Sequence, residues 1–259
     1  MYPVIPIGPA TIQTAIAALI VAIWLGTTIA ERECGRRALN GDDAWSVVML
    51  AAAVTVVAAR LIYALQNFPA YESDWIEIFA LTPGTLSLDA GLVCGLIAAY
   101  AYVQHRRVPL ARFADAFAPG ALVALAVLAL GQFLSGDAYG APTKVPWAVN
   151  LYGETRHPVQ LYDAFAALLG FVLARRWARR RLTDGTLALF AAAWYSAARV
   201  LIDAFRGNAA VLPGGYRTTQ VIALGVLIAA LWLLGKSVTG NERPATESRP
   251  PSSVLRPPP

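Results

Sequence analysis

Arg199, Asp203 and Arg206 stand at intervals of four and three residues, which puts all three on one stripe of a helix. Arg199 can pair with Asp203 across one turn. Arg206 then adds a second guanidinium, so the stripe carries a net cation. Guanidinium forks match phosphate oxygens, and the chemistry suggested is the holding of a phosphorylated substrate. The structural alternative is a self-neutralising i,i+4 pair with Arg206 reaching to the membrane–water interface. His157, within Arg156-His157-Pro158-Val159-Gln160-Leu161-Tyr162-Asp163, has the right chemistry for a general base near neutral pH. It reads equally as a brace for its loop, with Pro158 at the first position of a helix. Arg60 is a second phosphate ligand or an interfacial anchor. Asp89 is a base or a helix N-cap. Tyr63, Tyr162 and Tyr195 are ligands or interfacial aromatics.

The elements that must position these groups are long apolar runs. Of the 259 residues, 57% are hydrophobic and 14% charged, too little charge to cover a soluble domain of this length. A helix crossing the bilayer core needs about 20 mainly apolar residues. Seven runs qualify: Thr11–Ala30, Ala44–Leu65, Ser87–Gln104, Phe113–Leu134, Pro158–Ala174, Leu187–Phe205 and Thr218–Gly235. The third and fifth are short and need their polar first residues to reach full length. The expected fold is therefore all-α, a polytopic membrane bundle of seven transmembrane helices over residues 1–236. Residues 237–259, rich in Pro, Ser, Arg and Glu, are expected to form a disordered cytoplasmic tail.

The net charge of +5 could suggest nucleic acid, but its distribution points to a membrane. Arg32, Arg36 and Arg37 lie in one loop. Arg106, Arg107 and Arg112 lie in another, beside His105. Arg175, Arg176, Arg179, Arg180 and Arg181 lie in a third, and Lys236, Arg243, Arg249 and Arg256 end the chain. The alternate loops hold only Lys144, Arg156, Arg206 and Arg217. The positive-inside rule places the N-terminus outside and the C-terminus in the cytoplasm. With that orientation Arg60, Asp89, Gln132, Ser135, Asp137, His157, Gln160, Asp163, Arg199, Asp203, Arg206 and Gln220 gather near the outer headgroup plane. Ionisable groups in membrane spans are functional candidates because burying them there is costly. The outer loop 135–157 is long for a compact bundle, and loops of this length commonly bind or gate. Cys34 and Cys94 sit too far apart in depth to pair. No secretory signal pattern precedes the first span. No metal-spaced His/Cys cluster, phosphate-binding glycine loop or Gly-x-Ser-x-Gly elbow is present. A transporter would place its polar groups nearer the midplane.

Five blocks, in order, resemble the bacterial prolipoprotein diacylglyceryl transferase family. They are Arg60-Leu61-Ile62-Tyr63, Glu77–Leu81 with Gly84–Ser87, Gly136–Gly140 with Val145–Val149, Arg156–Ala164, and Tyr195–Arg206. Thr219-Gln220 opens the last span as the family's Ser/Thr-Gln does. The resemblance implies a multi-pass enzyme of the bacterial inner (plasma) membrane with no cofactor and no metal. Its partners would be phosphatidylglycerol, or a similar anionic phospholipid, and a lipobox-containing preprolipoprotein; nucleic acid has no part. It would move a diacylglyceryl group to a cysteine thiol at the outer leaflet and release glycerol phosphate. Arg199 and Arg206 would hold phosphate with help from Arg60, and Asp203 would orient Arg199. His157, or Asp89 after it, would take the thiol proton. Asp137 stands where the family has a glutamate, and Tyr63, Gln132, Ser135, Gly140, Gln160 and Tyr162 would line the substrate. The chain departs from the family at several such positions. The family's His-Gly-Gly is Asp89-Ala90-Gly91, its signature arginine is Ala129, its two asparagines are Gln132 and Ser135, and its first-span tyrosine is Ala15. A catalytically altered lipid- or lipopeptide-binding protein on the same scaffold is the alternative function.

Overall fold

A computed structural model describes residues 4–7, 10–72, 75–80, 84–151, 153–180, 182–207, 211, 213 and 215–239. Seven α-helices dominate them: α1 (Thr14–Arg36), α2 (Asp42–Gln66), α3 (Leu88–His105), α4 (Leu110–Ser135), α5 (Val159–Trp177), α6 (Thr186–Ile202) and α7 (Thr218–Thr239). Each matches one apolar run. Five are long and apolar enough to cross a membrane: α1, α2, α4, α6 with its 3-10 extension to Phe205, and α7. The other two are the pair read as short. α3 has 18 residues and carries Asp89, Gln104 and His105 at its ends. α5 has 19 and carries Asp163, Arg175 and Arg176.

Several boundaries differ from the sequence reading, and α1 continues past Ala30 to Arg36, so that Arg32, Cys34 and Arg36 are helical rather than in a loop. The first run was taken to begin at Thr11, but Ala10–Gln13 (β2) pairs with Val4–Ile7 (β1) and the helix starts at Thr14. β-Branched Val4, Thr11 and Ile12 favour that hairpin. At the other end α7 runs on to Thr239, past Gly235. Lys236 caps this turn by lying over the Trp232 ring, 3.6 Å from its centroid. Residues 240–259, most of the expected tail, lie outside the described residues.

Small residues set the packing, as they must where lipid removes the hydrophobic drive between helices. α1 crosses α4 at Gly26 and Gly120, where a Cβ on Gly120 would sit 2.2 Å from the Gly26 carbonyl oxygen. α3 meets α2 through Gly91 and Gly95, four residues apart on one face. A Cβ on Gly95 would lie 2.1 Å from Thr55 Oγ1. α4 is central, packed against α1, α5 and α6, and α7 lies on α6. Large apolar side chains such as Leu96, Ile97, Phe165, Leu201, Ile228 and Trp232 are exposed, as a lipid-facing surface would be.

The two ends of the bundle differ. At the end where α2, α4 and α6 begin, buried acids stitch the basic loops. Glu33 of α1 pairs with Arg36 and with Arg175 of α5. Asp43 of α2 accepts from Tyr102 (3.0 Å) and Arg106 (3.3 Å). Asp115 of α4 accepts from the Gly185 and Ala188 backbone amides, both at 2.8 Å. That satisfies first-turn donors of α6 from a neighbouring helix. Cys34 lies here, buried and free, and Cys94 is free within α3.

At the opposite end, Val149–Leu151 (β3) pairs antiparallel with Glu154–Arg156 (β4). The segment 139–143 runs beside β4 and also beside the chain leaving α6. Thr143 N donates to Thr155 O (2.8 Å), His157 N to Ala141 O (3.1 Å), Ala141 N to Phe205 O (2.7 Å) and Gly207 N to Tyr139 O (2.9 Å). This strap ties the loop before α5 to the end of α6.

Candidate active site

Four charged side chains form a closed ring under the strap. Asp163, in the second turn of α5, accepts on one oxygen, Oδ2, from Arg199 Nη1 (2.8 Å) and from Arg206 Nη2 (2.7 Å). Asp203 Oδ1 faces the same two cations, 2.7 Å from Arg199 Nη2 and 3.2 Å from Arg206 Nε. Those contacts are close approaches of charge without hydrogen-bond alignment, and both Asp203 oxygens, Asp163 Oδ1 and Arg206 Nε are buried without an aligned partner among the described residues. Asp203 is wholly buried and Asp163 nearly so.

This arrangement changes the charge count. The sequence reading gave the stripe a net cation with a single carboxylate. The ring has two carboxylates for two guanidiniums and is neutral. Asp163 is the residue that spacing missed, because it belongs to another helix. The signal was present, since Asp163 follows His157, Gln160 and Tyr162 in the same short segment.

The strap delivers other groups to this end. Gly140 bridges to Arg206 in an antiparallel pair, and a Cβ there would lie 2.2 Å from the His157 carbonyl oxygen. Only glycine fits. Arg156 donates to Gly140 O (3.2 Å) and Glu154 (2.6 Å), with its guanidinium 4.8 Å from the centre of the Tyr139 ring. His157 packs on Phe205, ring centroids 5.0 Å apart, and its Nδ1 lies 3.3 Å from the Tyr162 hydroxyl. Trp147 Nε1 donates to that same hydroxyl at 2.7 Å. Gln160 is buried and donates to Asp137 O at 2.7 Å. Ser135 Oγ bridges Gln132 O (3.2 Å) and Asp137 Oδ2 (2.7 Å), while the Gln132 and Asp137 side chains are exposed. His157, Gln160, Tyr162, Ser135, Asp137 and Gly140 are thus joined by hydrogen bonds and backbone pairing to the ring's surroundings. Among the described residues no three or more His, Cys, Asp or Glu converge as a metal site would.

Arg60 and Asp89 stand apart. Arg60 is buried and clamps the loop between α2 and α3. It donates to the carbonyls of Ile78 (2.7 Å), Thr85 (3.1 Å) and Glu77, and its guanidinium lies 5.4 Å from the centre of the Tyr71 ring. Among the described residues no hydrogen bond or ion pair joins it to Arg199 or Arg206. Asp89 is exposed in the first turn of α3, whose N-cap position is Ser87, so the capping alternative does not hold; its charge complements the helix dipole. Tyr63 is half-buried on α2, and its backbone carbonyl accepts from Asn67. Ala129 is buried on α4 and Ala15 half-buried on α1; neither brings a polar side chain.

The family model described as prolipoprotein diacylglyceryl transferase matches residues 4–235. The chain belongs to this family. The prolipoprotein diacylglyceryl transferase match spans all seven helices and the ring. Similar curated proteins are each called phosphatidylglycerol–prolipoprotein diacylglyceryl transferase. One from Corynebacterium efficiens is 30% identical over 92% of this chain and 82% of its own length. One from Clostridioides difficile is 29% identical over 82% and 87%. One from Streptococcus equi subsp. zooepidemicus is 26% identical over 89% and 92%.

Proposed function

We propose that this chain is a phosphatidylglycerol–prolipoprotein diacylglyceryl transferase. The observation that carries this beyond family membership is the Asp163–Arg199–Asp203–Arg206 ring, held under a strap that also fixes His157. In the reaction, the cysteine thiolate attacks the diacylglyceryl carbon. A carbon–sulfur bond forms, the carbon–oxygen bond to phosphate breaks, and glycerol phosphate leaves with the bonding pair. The thiol proton must go to a base, because the thiolate is the nucleophile. We assign that role to His157, whose Nδ1 is oriented by Tyr162. Arg206 takes phosphate oxygen, and Arg199 shares the developing charge. Asp163 and Asp203 hold both guanidiniums in place before substrate arrives. Arg60 keeps the α2–α3 loop in place rather than binding phosphate.

An apolar furrow of about 320 Å³ lies between α4 and α6. Phe117, Ala121, Leu125, Ala192, Tyr195 and Ser196 are among its walls. Its upper end is one helical turn from Arg199, so an acyl chain could hang there below a headgroup held at the ring. In this reading all seven helices cross the membrane, α3 and α5 with help from their polar ends. The N-terminus and ring face outside and the C-terminus faces the cytoplasm, in the inner membrane of a bacterium. Residues 1–236 form the transmembrane domain and the tail lies in the cytoplasm. The acceptor is the lipobox cysteine of an exported precursor.

A second reading, a lipid-binding protein without transfer, is favoured by one feature: Ala129 and Ala15 supply neither the guanidinium nor the hydroxyl found in the family. Reconstitution with phosphatidylglycerol and a lipobox peptide decides between them, with thioether product followed by mass. Product that vanishes in Arg199→Ala supports the enzyme. Lipid retention without product, weakened by the same substitution, supports the binder.

A further inference from the structure

The basic end carries a feature that lipid transfer does not use. Five of its arginines are matched to acids, Arg36 and Arg175 to Glu33, Arg37 to Asp115, Arg106 to Asp43 and Arg112 to Asp184, while Arg32, Arg107, Arg176, Arg179 and Arg180 make no ion pair among the described residues. Of the unpaired arginines, Arg176 and Arg180 share one recess. They are four residues apart at the end of α5, and neither side chain has an ion-pair partner among the described residues. Together with Leu173, Trp177 and Phe190 they line a recess of about 330 Å³. Trp177 and Phe190 meet edge to face at 4.8 Å between centroids, which gives the recess an apolar wall next to two unmatched cations.

We infer that this recess binds an anionic phospholipid of the leaflet opposite the ring, with its phosphate between Arg176 and Arg180 and its glycerol–acyl region against Leu173, Trp177 and Phe190. The chemistry selects the ligand. Two guanidiniums call for a phosphate carrying net negative charge. The aromatic wall suits the headgroup boundary, where such side chains concentrate. A soluble anion would leave that wall unused. Depth agrees: Arg176 lies 13 residues beyond Asp163 on the same helix, about 20 Å away at 1.5 Å per residue. The site is therefore distinct from the ring, and it stands whether or not the chain transfers lipid.

The test uses the full-length purified chain and phosphatidylglycerol bearing a photoreactive acyl chain, with crosslinks mapped by mass. Crosslinking at Leu173–Trp177 and Phe190 is expected with phosphatidylglycerol, and not with phosphatidylcholine. Two arginines near an anionic surface correspond to about thirtyfold in occupancy, so Arg176→Gln/Arg180→Gln should lower these crosslinks by that factor. Crosslinks near the ring should be unchanged. Arg180→Gln alone, which lies beyond the helix and leaves it intact, should lower them about fivefold. Equal crosslinking by phosphatidylcholine, no loss in either variant, or displacement by millimolar glycerol phosphate would each overturn the inference.

Discussion

Asp163 holds two arginines on one carboxylate oxygen, and both arginines are largely buried, at 17% and 12% side-chain exposure. Asp163→Ala would leave two cations facing Asp203 alone. Breaking a buried pair from one side costs about 3 kcal/mol or more, so a lower thermal midpoint in detergent is expected. Asp163→Ala/Arg206→Ala should recover part of that loss, since it removes the excess cation as well; a double-variant loss equal to the sum of the two single losses would mean the ring is not coupled. Gly140→Ala is expected to act differently. Its Cβ collides with the His157 carbonyl oxygen, so the strap must shift and carry His157 and Arg206 with it. Displacements of that size cost about 100-fold in turnover, read as kcat in the thioether assay with little change in thermal midpoint. Three of the four ring residues were legible in the sequence. The spacing of Arg199, Asp203 and Arg206 gave one stripe, because helical periodicity relates residues on one helix. It could not supply Asp163, whose place depends on how α5 meets α6. Nor could it reveal that the partners of Arg60 are backbone carbonyls, since any loop has carbonyls to offer.

The seven runs were legible because hydropathy registers over whole helices, and the two marked as short are the two not among the five helices long and apolar enough to cross a membrane. What hydropathy does not show is how a helix is ended and what lies between two of them. Asp115, which the sequence reading did not single out, satisfies two backbone donors at the start of α6. Asp115→Ala should cost about 1–2 kcal/mol, as loss of a cap does, while Asp115→Asn keeps an acceptor and should cost clearly less; differential scanning of both variants checks the order. The furrow between α4 and α6 makes a sharper demand. Ala192→Phe would fill it without touching the ring. Transfer from long-chain phosphatidylglycerol should fall about tenfold while a short-chain analogue reacts normally, because the lost contacts are those of a few methylenes. Equal loss with both lipids would place the acyl chain elsewhere.

For the whole molecule the decisive quantity is the asymmetry of charge. Fifteen of the 21 Lys and Arg residues lie in the alternate loops and tail read as cytoplasmic, against four on the other side. The structure adds that the ring and the strap share the sparsely charged end, whereas Glu33, Asp43, Asp115 and the unmatched Arg176 and Arg180 share the basic one. If the basic end is inside, the ring opens to the leaflet that an exported precursor reaches, and thiol, lipid and leaving group can meet. A fluorescent protein fused after Pro259 should then fluoresce in the cytoplasm. A cysteine at Lys144, in a chain with Cys34→Ala and Cys94→Ala, should react with an impermeant maleimide added to intact cells once the outer envelope is opened. Replacing Arg175, Arg176, Arg179, Arg180 and Arg181 by Gln should reduce the labelled fraction, since the bias in short loops sets orientation. A dark fusion with an unreactive cysteine would put the ring in the cytoplasm, on the wrong side for a precursor that has already been exported, and the transferase reading would fail on topology before any assay of its chemistry.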